Sequence, residues 1–294
     1  MITVLGSLNM DLVALTDRAP NLGETVTGRE FRTIPGGKGA NQAVAAARAG
    51  GRVAMAGAVG SDAFGEEMVG TLRRDGIETE LVRRASGASG TAHIVVDGRG
   101  QNAIIVIPGA NGTVLGLTEA DREQIRASSH LLMQLELPLC VVEEAAAVAH
   151  AAGVQVVLTP APARALPASL LAHVDWLIPN EHEAVLLAGG GSPEAAAEVL
   201  LGAVRNVVVT LGARGCLWRS QSGETAAVAA PRVNAVDTTA AGDTFAGALA
   251  VALSEGRPVP DALRWACKAA AISVTRLGAS PSMPTRREIE EMTL

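Results

Sequence analysis

Residues 236–245 read Val-Asp-Thr-Thr-Ala-Ala-Gly-Asp-Thr-Phe, and a run rich in alanine and leucine follows them. This pattern predicts an extended segment, a tight turn of small residues, and then a helix built from strong helix formers. The first N–H groups of a helix have no partner inside it, and the helix dipole is positive at that end. Ala240, Ala241 and Gly242 would therefore let an anion reach these N–H groups. Asp243 lies beside them, where a carboxylate can take a proton from a hydroxyl group.

A simpler interpretation of the same stretch is structural. Asp243 would then be only a favourable acidic residue in a first helical turn, and Ala-Ala-Gly an ordinary turn. A single Gly-Asp pair is too weak a signal to decide between the two interpretations. The remainder of the chain favours the functional one, because further polar clusters occur at matching places.

Composition limits the class of protein. The chain has 294 residues, of which 48% are hydrophobic and 18% charged, which is typical of one large globular domain or a domain with an insert. The net charge is −6, the pI is about 5.5, and no basic run exceeds two residues. These values argue against nucleic acid and against a membrane surface as partners.

The cysteines and the N-terminal segment predict a cytoplasmic protein. The three cysteines, Cys140, Cys216 and Cys267, are far apart and form no CxxC pair, so reduced thiols are expected. The chain begins with the strand-like segment 2–5 and shows no signal-peptide pattern. It also contains no apolar run of about 18 residues.

Strands and helices alternate along most of the chain. Extended apolar runs occur near 3–5, 53–59, 130–135, 154–158, 175–178 and 206–211, with helical segments between them. This alternation predicts an α/β fold with a parallel-centred sheet and helices on both faces. Segments 12–35 and 88–108 are instead short, extended and broken by turns. We expect them to form a small separate β-sheet, inserted twice into a body made of residues 1–11, 36–87 and 109–294.

Polar clusters follow several of the predicted strands. Because ligands of open α/β sheets bind at the carboxyl ends of the strands, these clusters together predict one ligand cleft. The clusters are Asn9 with Asp11, the glycine turn 36–41, Glu136, Asn180 with Glu183, and the turn 210–215.

The residue types in the cleft suit a ligand with several hydroxyl groups. The carboxylate of Asp11 can accept both donors of a vicinal diol, and Asn9 and Asn41 can bind further hydroxyls. Glycines 36–37 would let the backbone approach the ligand closely. Loop capping by Asn9 and Asp11, and an ordinary exposed Lys38, remain alternatives at this point.

The cluster 180–183 has two interpretations. Asn180 and Glu183 can cap a helix, or they can orient Mg²⁺-bound water and phosphate oxygens. The turn 210–215 can lie against a nucleotide but is a weak signal alone. Walker A, GxGxxG and GxSxG motifs are missing from the sequence, and its five histidines have no metal-ligand spacing.

Two motifs carry a resemblance to a known family. Residues 36–42 read Gly-Gly-Lys-Gly-Ala-Asn-Gln, and residues 237–245 read Asp-Thr-Thr-Ala-Ala-Gly-Asp-Thr-Phe. The sequence resembles the ribokinase-type (PfkB) carbohydrate kinases over essentially its whole length. Further similar segments are Gly6–Asp11, Leu132–Glu136, Pro179–Glu181 and Gly278–Ser282.

The resemblance implies ATP-dependent phosphorylation of D-ribose at its 5-hydroxyl, with Mg²⁺, and activation by K⁺. Asp243 would be the base, and Ala240, Ala241 and Gly242 would form the anion hole for the γ-phosphate. The sugar site would comprise Asn9, Asp11, Gly36, Gly37, Lys38, Gly39, Asn41, Glu136 and Asp243. The ATP site would comprise Asn180, Glu183, Thr210, Leu211, Gly212, Ala213, Arg214, Gly215, Gly242, Asp243 and Cys267. Potassium would contact Asp237, Thr239, Ser273, Arg276, Gly278 and Ser282, mostly through backbone carbonyls. The small sheet would act as a lid and would form a homodimer.

Two residues depart from the family pattern, and several alternatives stay open. Thr159 stands where these kinases usually have asparagine, and Cys267 stands where histidine is common. Kinases of the same fold for deoxyribose, fructose or adenosine are alternatives, as is a sugar-sensing relative without activity. A hexose monophosphate kinase would need additional basic residues near the lid to hold the phosphate of its substrate. This alternative is disfavoured but stays open, because the lid segments contain four arginines, namely Arg18, Arg29, Arg32 and Arg99.

Overall fold

The computed structural model describes residues 1–293 as two β-sheets and ten α-helices. The strands are β1 (Ile2–Leu5), β2 (Asn9–Leu15), β3 (Glu30–Gly36), β4 (Val53–Gly60), β5 (Glu78–Ala85), β6 (Gly90–Val96), β7 (Asn102–Ile107), β8 (His130–Met133), β9 (Gln155–Leu158), β10 (Trp176–Leu177), β11 (Asn206–Thr210), β12 (Cys216–Ser220) and β13 (Thr225–Val228). The helices are α1 (Lys38–Arg48), α2 (Ala63–Arg74), α3 (Glu119–Arg126), α4 (Leu139–Ala151), α5 (Ala168–Leu171), α6 (Glu181–Ala188), α7 (Pro193–Leu201), α8 (Ala241–Ser254), α9 (Val259–Ser273) and α10 (Arg286–Glu291).

The larger sheet has nine strands in the order β13-β12-β11-β10-β9-β8-β1-β4-β5. All pairings from β11 to β5 are parallel. The two pairings at the other edge, β11 with β12 and β12 with β13, are antiparallel. Neighbouring residues of one strand pack into different cores, as Leu131 and Leu132 do. One core includes residues of α1, α8 and α9, and the other includes residues of α4 and α7. The predicted α/β fold with helices on both faces is confirmed.

The smaller sheet has four strands in the order β3-β2-β6-β7. Strand β2 pairs antiparallel with β3 and parallel with β6, and β7 is an antiparallel edge strand. This sheet begins at Asn9 and ends its second strand at Gly36, so it takes in residues 9–11 and 36 that the predicted division placed in the body.

Strand β5 and the short helix α5 were not predicted. The β5 sequence Glu-Thr-Glu-Leu-Val-Arg-Arg-Ala has charged residues at half of its positions, because it lies at an edge of the large sheet and faces solvent on one side. Its pairing with the buried β4, not its own composition, makes it a strand. Strand β8 also ends at Met133, two residues before the predicted end.

No single helix within residues 1–293 is long and apolar enough to cross a membrane. One bent pair, Glu181–Ala188 with Pro193–Leu201, meets the length and composition requirement only when its two helices are taken together.

Candidate active site

The turn before α8 has an unusual backbone conformation. Ala240 is the residue before the helix, and its φ of 57° and ψ of 16° lie in the left-handed region. Residues with a Cβ rarely adopt this conformation, and it is often found at functional sites. Helix α8 then begins at Ala241, and a Cβ built on Gly242 would meet no other atom within 4 Å. The Ala241 N–H donates to the Thr238 carbonyl at 3.3 Å, whereas within residues 1–293 the N–H groups of Gly242 and Asp243 have no partner, as an anion hole requires.

Asp243 lies in the first turn of α8 and is 7% exposed. Its Oδ2 accepts a hydrogen bond of 3.2 Å from Asn41 Nδ2, and its Oδ1 accepts one of 3.1 Å from Gln42 Nε2. Burial raises the pKa of Asp243 above its ordinary value, although Lys38 and the two side-chain amides oppose that rise. The carboxylate is thus held at both oxygens and is suited to accept a proton.

A glycine allows α8 to bring Asp243 to α1. Gly247 lies one turn after Asp243, and a Cβ at this position would be 2.7 Å from both the Ala45 Cβ and the Gln42 carbonyl oxygen. Such contacts are too short for real atoms, so α8 can approach α1 this closely only with glycine here. The approach places the carboxylate beside the amides of Asn41 and Gln42.

Two glycines let the turn at residues 36–37 pack closely against β2. The register of the small sheet pairs Asn9 with Gly36, and a Cβ on Gly36 would be 2.6 Å from Asp11 Oδ2. Gly37 has a φ of 89°, and a Cβ there would be 2.7 Å from the Asn9 nitrogen. Glycine is therefore required at both positions for the turn to lie against β2.

Glu136 has one carboxylate oxygen bound by the protein and one that is free. Its Oε2 accepts hydrogen bonds from Ser7 Oγ at 2.5 Å, from the Lys38 N–H at 3.1 Å and from Asn9 Nδ2 at 3.5 Å. Within residues 1–293 no donor reaches Oε1. The carboxylate is fixed in orientation and leaves an acceptor for a ligand hydroxyl.

Asn111 fixes the orientation of the Asn9 amide. This buried residue accepts a 3.0 Å hydrogen bond from the Leu8 N–H and donates from Nδ2 to the Leu8 carbonyl at 3.0 Å and to Asn9 Oδ1 at 2.8 Å. Because Asn9 Oδ1 accepts this bond, Asn9 Nδ2 faces Glu136. Sequence analysis missed Asn111 and Ser7, since Asn111 lies 103 residues from Leu8 and no pattern links the two.

Lys38 lies half-buried between the carboxylates of the cluster. Burial lowers its pKa, but Asp243, Glu136, Glu183 and Asp11 outweigh that effect and leave the pKa raised. The alternative of an ordinary exposed lysine is therefore excluded. Lys38 stays protonated and can interact with an anionic phosphoryl group near the carboxylates.

Asp11 has a pKa raised to near neutrality. Burial and the negative charges of Glu136 and Asp243 raise its pKa to about 7, while Lys38 lowers it. An acid in this state responds strongly to a ligand that donates hydrogen bonds to its ionised form.

The expected nucleotide residues form a second group next to the first. Asn180 and Glu183 form a capping box at the start of α6. The pair therefore caps the helix, as the first of the two interpretations expected. Asn180 also forms an isolated parallel bridge with Thr210, which brings the turn 210–215 to the start of α6. Arg214 Nη2 lies 2.5 Å from Glu181 Oε2 and ties the turn to the helix. This turn contains the expected residues Leu211, Gly212, Ala213 and Gly215.

Cys267 contacts the residue that follows the turn 210–215. Its side chain is buried in α9, and its Sγ is 3.7 Å from the Sγ of Cys216, the residue after Gly215. This contact places Cys267 next to the expected nucleotide turn.

Asp237 joins the two segments expected to hold a monovalent cation. Its Oδ1 accepts hydrogen bonds from the Thr239 N–H at 2.9 Å and the Thr239 hydroxyl at 2.7 Å, and its Oδ2 accepts one from the Gly278 N–H at 2.8 Å. Ser273 and Ser282, the buried hydroxyl residues of the expected set, flank Gly278 in the chain together with Arg276. The carboxylate, hydroxyl and carbonyl oxygens of these loops form a donor set that suits a hard cation.

The comparison with known families agrees with this geometry. A model of the pfkB family of carbohydrate kinases matches residues 1–286. This chain belongs to the pfkB family. The resemblance predicted from motifs 36–42 and 237–245 is thereby confirmed, and Asn41, Gln42 and Asp243, which lie in contact, come from these two family motifs.

Individual members of the family match the chain along almost its full length. It is 44% identical to the ribokinase of Schizosaccharomyces pombe, covering 98% of this chain and 96% of that protein. It is 37% identical to the deoxyribokinase of Salmonella typhi, covering 99% and 97%. The structure of Arabidopsis thaliana ribokinase complexed with ribose and ATP matches with a TM-score of 0.93 at 33% identity, covering 99% of this chain and 97% of that chain.

Proposed function

We propose that this protein is a ribokinase, which transfers the γ-phosphoryl group of ATP to the 5-hydroxyl of D-ribose and yields ribose 5-phosphate and ADP. The observation that carries the proposal is the position of Asp243. Its buried carboxylate heads α8, beside the helix N–H groups and in one electrostatic cluster with Asp11, Glu136 and Lys38. The matches to the ribokinases of Schizosaccharomyces pombe and Arabidopsis thaliana support ribose and ATP as the substrates.

The sugar binds between the two sheets. Asp11 accepts hydrogen bonds from two neighbouring ribose hydroxyls, and Glu136 accepts another at its free Oε1. Asn9 and Asn41 contact the remaining hydroxyls, and the turn at 36–39 brings its backbone against the ring. These contacts place the 5-hydroxyl next to Asp243.

Phosphoryl transfer then uses the N-terminus of α8. Asp243 accepts the proton of the 5-hydroxyl as the oxygen attacks the γ-phosphorus, and the bond to the leaving ADP oxygen breaks. The N–H groups at 240–242 bind the transferred group and stabilise its developing charge. Lys38 adds a positive charge on the sugar side of the same site. On the nucleotide side, Asn180 and the residues of the turn 210–215 bind ATP.

Two metal ions complete the proposal. Magnesium, when bound, neutralises charge on the phosphate oxygens of ATP. Glu183 has one oxygen in the capping box, so its other oxygen is available to hold Mg²⁺-bound water. Potassium would occupy the loops joined by Asp237 and stabilise the turn before α8.

The proposed activity is tested by measuring ADP release from ATP with a panel of acceptors, namely D-ribose, 2-deoxyribose, fructose and adenosine. We expect D-ribose to have the highest kcat/KM, and KCl to raise kcat relative to a tetramethylammonium salt. Product analysis should find the phosphate on the 5-hydroxyl. Absence of ribose-dependent ADP release in the presence of Mg²⁺ and K⁺ would refute the proposal.

A second candidate substrate is 2-deoxyribose, because the chain is also similar to a deoxyribokinase. The diol contact of Asp11 requires a second hydroxyl, which favours ribose. The hexose monophosphate alternative has less support, since three lid arginines already pair with neighbouring acids. These pairs are Arg18 with Glu24, Arg29 with Asp17, and Arg32 with Glu30.

The small sheet is proposed to act as a lid and to form the interface of a homodimer. Every residue of its edge strand β7 is exposed, including Ile104, which is 51% exposed. The register places Val13, Ile94 and Ile104 in one row on the sheet face that carries Asp11. Such an exposed apolar row on an edge strand is typical of a surface that pairs with a second copy.

An I104D variant should weaken this dimer, because it buries a charge in the apolar row. We expect light scattering during gel filtration to give twice the chain mass for the native protein and a lower mass for the variant. Leu115→Asp, at another exposed apolar residue outside the small sheet, is the control. A native protein that elutes as a monomer at micromolar concentration would contradict the dimer.

A further inference from the structure

A chain of buried amides lies behind the carboxylate of Asp243. Gln42 is 1% exposed and uses all the hydrogen-bonding capacity of its NH₂ group. Its Nε2 donates to Asp243 Oδ1 at 3.1 Å and to Thr159 Oγ1 at 3.2 Å, and its Oε1 accepts a 2.7 Å bond from Gln134 Nε2. The hydrogen bonds thus run from Gln134 through Gln42 to Asp243, the proposed base.

Only one orientation of the Gln42 amide fits these partners. If the amide were rotated by half a turn, its carbonyl oxygen would face the carboxylate of Asp243, and its NH₂ group would face the NH₂ group of Gln134. The carboxylate of Asp243 excludes the rotated amide, and the bond donated by Gln134 stabilises the orientation in which Gln42 donates to Asp243. Gln134 is 1% exposed and directly follows β8, and its Oε1 is buried without a hydrogen-bond partner within residues 1–293.

We propose that Gln42 is a positioning residue for the catalytic base, and that Gln134 acts through it by fixing the direction of its amide. The relay keeps Asp243 Oδ1 bound to a donor, so Oδ2 is oriented toward the sugar hydroxyl beside Asn41. Thr159 takes the second hydrogen of the Gln42 amide, which assigns a role to the residue that departs from the family pattern. This inference rests on the proposed function of Asp243 as the base.

The electrostatic surroundings agree with this role. Asp243 interacts electrostatically with the positive charge of Lys38 and with the negative charge of Glu136. Asp11 and Glu183 also interact with the charge of Lys38. Burial raises the pKa of Asp243, and the donor from Gln42 lowers it. Loss of that donor should therefore raise the pKa of the base further.

The test measures kcat against pH at saturating ribose and ATP, so that sugar and nucleotide binding do not shape the profile. For Gln42→Met, we expect kcat to fall roughly tenfold, the scale of one charge-assisted hydrogen bond. The acid limb of the profile should move to higher pH, because the base must be ionised to act. The KM for ATP should stay unchanged.

Variants of Gln134 test the relay without touching a residue that contacts Asp243. Gln134→Met removes the donor to Gln42 and should lower kcat with the same shift of the acid limb. Gln134→Glu should have a larger effect than Gln134→Met, because an ionised glutamate favours the rotated Gln42 amide. The double variant Q42M/Q134M should lose no more activity than Q42M alone, since the two act in series.

The matched control is Gln124→Met, which removes another partly buried amide that donates to Thr3 and Ser128. Its acid limb should coincide with that of the native protein. The relay is refuted if the limbs of Q42M and Q134E also coincide with the native limb, or if the losses in the double variant multiply. If Q42M does not fold, the two Gln134 variants decide the question. A native protein inactive on ribose refutes the proposed substrate instead, and the profiles are then measured with the acceptor that it does phosphorylate.

Discussion

Asp243→Asn is expected to lower kcat by at least roughly 10²-fold, the scale of a lost general base. Asparagine has nearly the same shape, so it fills the same space beside Asn41 and Gln42, but it cannot accept the proton of the sugar hydroxyl. The N–H groups at the start of α8 remain in place, and we therefore expect the affinity for ATP to change little. Steady-state kinetics with ribose and calorimetric titration with an ATP analogue measure the two effects separately.

The control for this variant is Asp261→Asn. Asp261 is the third residue of α9, as Asp243 is the third residue of α8, and both are acidic residues of a first helical turn. If Asp243 served only to stabilise the helix, the two substitutions would have the same small effect on the melting temperature and none on kcat. Near-native turnover of Asp243→Asn would remove this residue from the role of base.

Asp11→Ala is expected to weaken ribose binding by roughly 10²-fold or more, because two charge-assisted hydrogen bonds to the diol are lost. The affinity for ATP should change far less, since Asp11 lies on β2 of the small sheet and away from the turn 210–215. Calorimetric titrations with each ligand measure both constants. Asp17→Ala, at an exposed acid just after β2, is the control and should bind ribose normally.

The same carboxyl group predicts a pH dependence. Its pKa is raised to about 7 in the free protein, whereas the proposed contact with the sugar hydroxyls requires the ionised form. The ribose affinity of the native protein should therefore rise between pH 6 and pH 8, and that of Asp11→Asn should be weak and nearly independent of pH. Because the folded-state pKa lies above the ordinary value of 3.8, this group makes the free fold less stable as the pH rises from that value to about 7. Equal loss of ribose and ATP affinity in Asp11→Ala, or a flat native profile, would count against the diol contact.

Much of the fold could be predicted, because the parallel strands are buried and therefore apolar. The runs that contain β8, β9 and β11 are examples, and the two-residue strand β10 lies in a similar run. Strand β5 could not be predicted, since an edge strand with charged residues has no apolar pattern of its own. Its structure depends on β4, which lies more than seventeen residues earlier in the chain.

The site also has a part that could be predicted from the sequence and a part that could not. Asn9, Asp11, Glu136 and Asp243 were predicted because each follows a strand or begins a helix, and such positions meet at one edge of the sheet. The structure brings these residues together, with Lys38 among them. The directions of the amides could not be predicted, because they depend on contacts between distant segments. Asn111 orients the Asn9 amide from a segment that carries no motif, and the contact of Gln134 with Gln42 joins residues 92 positions apart.

The position of Asp11 on strand β2 affects whether water can replace the sugar as the phosphoryl acceptor. Asp11 lies on β2 of the small sheet, whereas Asp243 lies in α8, which packs against the large sheet, so ribose would bridge these two parts of the molecule. A water molecule in the acceptor position has no second hydroxyl for Asp11 and cannot link the two parts. We therefore expect hydrolysis of ATP in the absence of sugar to be slow.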